Sequence, residues 1–270
     1  IRREMQQGGA SGSGGVRLHA SHAQGHARFN AYLDDYAFLL DAVLELLQAR
    51  FDAGTLAFAE GLARTLLEDF EDRATGGFYF TSHGHETLFH RSKPGHDHAT
   101  PSGNGIAAQV LLKLSFLTGN QEYARAAERT IALFHSGMVS RPSGQAAMML
   151  ALSDMLDSPR TVVIRGPEPS VRDWERALGE RYRPSTLVLG IPDTVDGPLP
   201  ALLAKPRREQ RLGGAHRVRL AVLVRGVAGE PRRRREPRGV LRGRGIVAVG
   251  VEVDHAPSGG TAPLRSTIMR

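Results

Sequence analysis

The chain has 270 residues, 41% of them hydrophobic, and a formal net charge of +7, enough for one large domain or two small ones with a real core. The absence of cysteine excludes a disulfide framework, a thiolate nucleophile and any cysteine-based zinc site. No stretch approaches the roughly 18 apolar residues of a membrane span, and Ile1-Arg2-Arg3-Glu4-Met5 lacks the apolar core of a signal peptide, so a soluble cytoplasmic protein with no membrane partner is expected.

The charge is unevenly spread. From Pro206 to Arg270 there are fifteen arginines and no lysine against five acids, a net of +10, which leaves −3 for the first 205 residues. The part with globular patterning is therefore mildly acidic, and the basic surplus belongs to the end of the chain. Ile at position 1 reads as the start of a fragment.

Residues 1–29 read as a flexible or fragmentary lead, rich in glycine and serine up to Gly15. From Asn30 to Arg50, apolar residues Tyr36, Leu39, Leu40, Val43, Leu44 and Leu47 recur at helical spacing and predict a first helix. Phe51-Asp52-Ala53-Gly54 breaks it, and Thr55 to Phe70 gives a second. The aromatic run Gly76 to Thr81 predicts a strand that pairs with Thr87 to His90 across the polar turn Ser82 to Glu86.

Thr100-Pro101-Ser102 opens a third helix, Ile106 to Leu117, closed by Gly119. Asn120 to Phe134 gives a fourth and Ser143 to Leu156 a fifth. The style then changes: Thr161 to Ile164 reads as a strand, Val171 to Arg181 as a helix around Trp174, and Thr186 to Leu189 as another strand. Beyond Lys205, Val218 to Val224 and Ile246 to Val253 allow strands in an otherwise irregular, Arg-rich tail. The fold class is thus mainly α, with stacked helical hairpins over 30–157, a small αβ segment over 158–204 and the tail over 205–270.

In stacked hairpins alternate helices share a layer, so the first and third helices start at the same face. Two polar groups lie there. Asp34 and Asp35 can act as general acid and base or hold hydroxyls; equally, they sit in a first turn where negative charge is favoured. Asp97, Ser102 and Asn104 can bind a polyol, with Asp97 as a further acid or base, or can cap the third helix. Tyr36, Phe78 and Tyr79 can stack on sugar faces or fill the core. His83, His85, His90, His96 and His98 crowd sixteen residues, but their spacing matches no usual zinc pattern, so no metal or other cofactor is expected; His98 or His96 is the candidate acid or base.

Asn30 to Leu40 (NAYLDDYAFLL), Gly76 to Thr81 (GGFYFT), Asp97 to Asn104 (DHATPSGN) and Leu117-Thr118-Gly119-Asn120 together resemble the C-terminal half of the thioredoxin-domain-containing proteins of the YyaL and spermatogenesis-associated type, over roughly Val16 to Leu203. The resemblance implies a partial (α/α)6 toroid similar to N-acylglucosamine 2-epimerases and six-hairpin glycosidases. It also implies that a thioredoxin-like domain and several toroid hairpins are missing from this chain. By analogy of fold it implies a carbohydrate-related site, for sugar binding or epimerase- or isomerase-like chemistry, inactive in a fragment. The family's cysteines near the C-terminus have no counterpart around Leu220 to Pro231, and the abrupt arginine enrichment reads as divergence or as a shifted reading frame. Two other functions are compatible with the residues: a non-catalytic scaffold, and nucleic-acid binding by the basic tail. The tail lacks interleaved aromatics, which weighs against nucleic acid as a partner.

Overall fold

The computed structural model describes residues 5, 6 and 14–204, together with the backbone of 219–225, 242–243 and 246–249. The described chain is mainly helical with a small strand component. Helix α1 spans Leu33–Ala49, α2 Ala53–Thr65, α3 Gly103–Thr118, α4 Gln121–Ser140 and α5 Ala146–Leu156.

Helix α3 is the centre. Its apolar residues do not keep to one stripe, and residues on every side of it, from Ala107 through Val110 and Leu114 to Leu117, are buried. A helix that is apolar all round has to be covered all round, and α1, α4 and α5 all pack against it. Helices α1, α3 and α5 form one row, while α2 packs on α1 and α4 on α3 and α5.

The five expected helices are found with shifted ends. Helix α2 continues to Phe70 through a wide π-type turn in which Glu71 N–H donates to Leu66 O at 3.1 Å. Helix α3 starts at Gly103, earlier than its apolar run, because Ser102 caps it. Helix α4 runs on to Ser140, and α5 starts only at Ala146, after a short turn at Pro142–Gly144 and Gln145.

Among the first 100 residues, two expectations are overturned. Residues 16–29, read as part of a flexible lead, include an antiparallel hairpin of β1 (His19–Ala23) and β2 (His26–Asn30). Gln24 and Gly25 turn it with φ of 52° and 79°, the left-handed pair that suits a two-residue hairpin. Its strands carry polar residues on both faces, so no hydrophobic alternation announced them. The second failure is the hairpin expected from Gly76–Thr81 and Thr87–His90, which does not form. The aromatic segment is bonded elsewhere: Tyr79 N–H donates to Phe70 O, Phe80 N–H to Ser92 O, and Phe80 O accepts from Leu33 N–H at the start of α1. With its backbone groups satisfied there, it has none left for a partner strand.

The αβ segment is a βαβ unit. Strands β3 (Arg160–Gly166) and β4 (Thr186–Pro192) are parallel, Arg160 opposite Thr186, and α6 (Glu168–Gly179) crosses between them. The unbroken apolar run of β3 follows from burial on both faces. Val163 faces the main core with Leu187, Leu189 and Ile191 of β4. Val162 and Ile164 face α6, where Val171, Trp174 and Leu178 cover them. A short helix α7 (Ala201–Ala204) then packs against α3.

The description of 205–270 as irregular fails at three places. Strand β5 (Arg219–Arg225) pairs antiparallel with β3, Thr161 opposite Leu223, and β7 (Ile246–Val249) and β6 (Arg242–Gly243) extend the sheet in the order β4-β3-β5-β7-β6. The strands allowed at 218–224 and 246–253 are these. The arginine run Arg232–Arg235, the reading-frame question and the nucleic-acid reading all lie outside the described residues.

Candidate functional site

The N-terminal ends of α1, α3 and α5 lie together, and particular side chains tie them. Asp97 is the clearest. One carboxylate oxygen accepts from Ser102 N–H at 2.9 Å, at the start of α3, and the other from Ala147 N–H at 2.9 Å, in the first turn of α5. Its own N–H donates to Gly144 O at 2.8 Å. A carboxylate bonded to free N–H groups at two helix starts is favoured by both dipoles. Ser102 completes the start of α3, accepting from Gly105 N–H at 3.2 Å.

Asn104, fully buried, is a clamp. Its carbonyl accepts from Phe78 N–H at 2.7 Å, and its amide donates to Phe78 O at 2.9 Å and to Pro94 O at 2.8 Å. One side chain thus fastens both ends of the 78–94 loop to α3. Gly77, at φ 75°, brings the backbone close enough for this; a Cβ there would lie 2.7 Å from Leu133.

The adjacent aspartates of α1 are unlike. Asp35 points outward and accepts from Tyr32 N–H at 2.8 Å, an ordinary third-residue cap. Asp34 turns toward α3, so that a Cβ on Gly103 would lie 2.1 Å from its Oδ1. That oxygen is buried and has no hydrogen-bond partner among the described residues. Burial, and then the neighbouring Asp35 charge, hold the Asp34 carboxyl above the usual carboxylate range. Of the polar residues singled out in the sequence at these helix starts, Asp34 alone combines a buried, unpartnered oxygen with such a shift.

The aromatic candidates divide. Tyr36 is buried, its hydroxyl accepting from Leu18 N–H at 2.9 Å, and burial pushes its phenol up to about 12. Phe78 is fully buried in the core. Tyr79 is half-buried; its hydroxyl donates to Asp72 at 2.9 Å, and Arg91 and Lys93 lie 4.1 and 4.8 Å from its ring centre. Lys93 Nζ bonds Asp72, Thr75 Oγ1 and Gly76 O, and the bonds that Asp72 receives from Lys93 and then Thr75 hold its carboxyl well below the usual carboxylate range.

Sequence reasoning missed a partly exposed aromatic group beside the start of α1. Tyr32 stacks on Phe80 with ring centres 4.9 Å apart at 19°, and His85 lies 4.9 Å from Tyr32 on a tilted ring. The available signal was alternation: in an extended Phe78-Tyr79-Phe80, residues 78 and 80 share a side. His96 and His98 are exposed with ring centres 6.3 Å apart, edge to face. Among the described residues no group of three or more histidines and carboxylates is placed to hold a metal ion, and no helix is long and apolar enough to cross a membrane.

No family model matches the chain. It is 30% identical over 153 residues to spermatogenesis-associated protein 20 of Rattus norvegicus, covering 54% of the chain and 19% of that protein. The Mus musculus protein of the same name is 30% identical over 149 residues and the Homo sapiens one 31% identical over 137 residues. The chain spans about a fifth of the length of these curated relatives. The similarity is distant and fits the spermatogenesis-associated resemblance carried by the motifs.

Proposed function

We propose that the chain is a sector of an α/α toroid of the spermatogenesis-associated type, holding a small polyhydroxylated ligand at the N-terminal ends of α1, α3 and α5, with Asp34 as its acid–base group. Asp34 carries this reading, because its buried oxygen lacks a partner among the described residues and burial raises its carboxyl above the usual carboxylate range, the direction that favours a group that gives as well as takes a proton. In an epimerase- or isomerase-like step it would move a proton at a sugar carbon or hydroxyl. The Tyr32–Phe80 stack is the surface on which a sugar face would rest, and His96 and His98 stand as the second acid or base.

Asp34→Asn tests this. The change keeps shape and volume, so the melting temperature should hold while the stabilisation given by sugars or sugar phosphates in a thermal-shift panel disappears. A panel in which no sugar raises the melting temperature, or in which Asp34→Asn responds like the unmodified chain, removes the proposal. A non-catalytic scaffold is the second reading, favoured by one observation: the side chains of Asp35, Asp97, Ser102, Asn104 and Tyr36 all have bonds within the chain.

A further inference from the structure

At the opposite end of α3, roughly 24 Å from Gly103 at 1.5 Å per residue, lies a cleft of about 400 Å³. Glu60 of α2 forms one side, Thr118 to Asn120 of the α3–α4 turn the base, and Pro198-Leu199-Pro200 the other side. The proline wall is pinned at both ends: a Cβ on Gly197 would touch Ala53 of α2 at 3.3 Å, and Leu202 lies against Gly119. It is a fixed apolar surface, not a free loop.

Glu60 is half-buried there, and no hydrogen bond or ion pair holds its carboxylate among the described residues. Its natural partner one turn along the helix would be Arg64. That guanidinium instead lies against the backbone at Gly14, where a Cβ would be 2.4 Å from Nη1. It acts on Glu60 only at longer range, lowering a pKa that burial raises. The last turn of α3 carries no basic residue, so its carbonyl end, closed by Gly119 at φ 80°, is uncompensated from within the helix. Glu122 adds a further negative charge in the first turn of α4. Arg64 and the start of α4 are the opposing positive features.

We infer that this cleft binds the ammonium end of an aliphatic amine, with Glu60 and the carbonyl end of α3 receiving the charge and Pro198, Leu199 and Pro200 covering the methylenes. An ammonium has three donors and no acceptor, which matches a carboxylate beside the negative, carbonyl end of a helix. The site does not involve Asp34 and does not depend on the ligand proposed there. Because the whole chain is positive, at +7, general electrostatics repel a cation, and saturable binding reports the local arrangement.

The test is calorimetric titration of the full 270-residue chain with n-butylamine, putrescine and N-acetyl-lysine methylamide, with 1-butanol as the neutral match. The amines should saturate a single site and the alcohol should not. Glu60→Gln should weaken amine binding about tenfold or more, the worth of one charge-assisted hydrogen bond, at an unchanged melting temperature. Putrescine binding more tightly than the lysine amide assigns a free diamine, and the reverse order assigns a lysyl side chain; both support the site. Equal binding of 1-butanol, amine binding that survives Glu60→Gln, or no saturation at millimolar amine overturns it.

Discussion

Replacing Asn104 by alanine distinguishes the architectural role of the α3 start from a ligand-binding one. The change removes three hydrogen bonds and strands Phe78 N–H, Phe78 O and Pro94 O beside a fully buried Phe78. Each stranded buried group costs about 1–3 kcal/mol, and since the three share one side chain the losses do not add fully, so about 3–5 kcal/mol is expected. At about 2–4 °C per kcal/mol for a domain of this size, the melting temperature should fall by roughly 6–20 °C. Asn104→Asp sharpens the experiment. It keeps an acceptor for Phe78 N–H but sets the second oxygen against two carbonyls, which raises its folded pKa above that of the unfolded chain. Its stability is then greatest below about pH 4 and is lost as pH rises through the raised value. Calorimetric melting of both variants from pH 3 to 8 measures this. A loss under about 1 kcal/mol for Asn104→Ala, with ligand binding abolished, would refute the clamp and restore Asn104 as a binding residue.

Asp97→Ala should unseat the starts of α3 and α5 together and cost about 2–3 kcal/mol in urea unfolding, whereas Asp97→Asn retains an acceptor and costs less. Tyr36→Phe should remove the hydroxyl that accepts from Leu18 N–H, costing about 1–2 kcal/mol and speeding amide exchange along β1 and β2. Because burial raises the Tyr36 phenol to about 12, the unmodified chain should lose stability as pH climbs from the ordinary phenol value toward 12, where a buried phenolate would have to form; Tyr36→Phe should flatten that alkaline loss. Gly103→Ala places a Cβ 2.1 Å from Asp34 Oδ1 and should cost about 1–3 kcal/mol, much of it recovered in a Gly103→Ala, Asp34→Ala double variant. Additive losses in that cycle would show that the two residues do not meet.

The helices were legible because their signals are local: apolar period, the break at Phe51 to Gly54, the Ser102 cap, and Gly119 at the end of α3. The βαβ unit was legible for the same reason, two short apolar runs flanking an amphipathic one. What escaped were pairings decided by distant residues. Gly76 to Thr81 has the composition of a strand, yet Asn104, 26 residues beyond Phe78, takes both of its backbone groups. The polar hairpin β1–β2 is anchored through Leu18 to Tyr36 and Ala31, contacts that no pattern within the hairpin encodes. Resemblance to a known family gave the order of motifs but not which of their polar residues is occupied.

That last gap has a physical form in Asp34 and Asp35. Adjacent helix positions face about 100° apart, so two identical side chains in one first turn enter different environments, and composition cannot rank them. The rank comes from α3. Gly103, lacking a side chain, lets the second helix start close against the first, and that approach buries one oxygen of Asp34 while Asp35 remains in solvent as a cap. The same glycine that permits close packing therefore leaves a carboxylate oxygen of Asp34 buried and, among the described residues, without a partner at this face. A residue chosen only to cap α1 would gain nothing from that position, since desolvation without a partner is a cost. An uncompensated cost at a helix start, retained beside a cap that already satisfies the turn, is what makes Asp34 the residue at which function is to be sought.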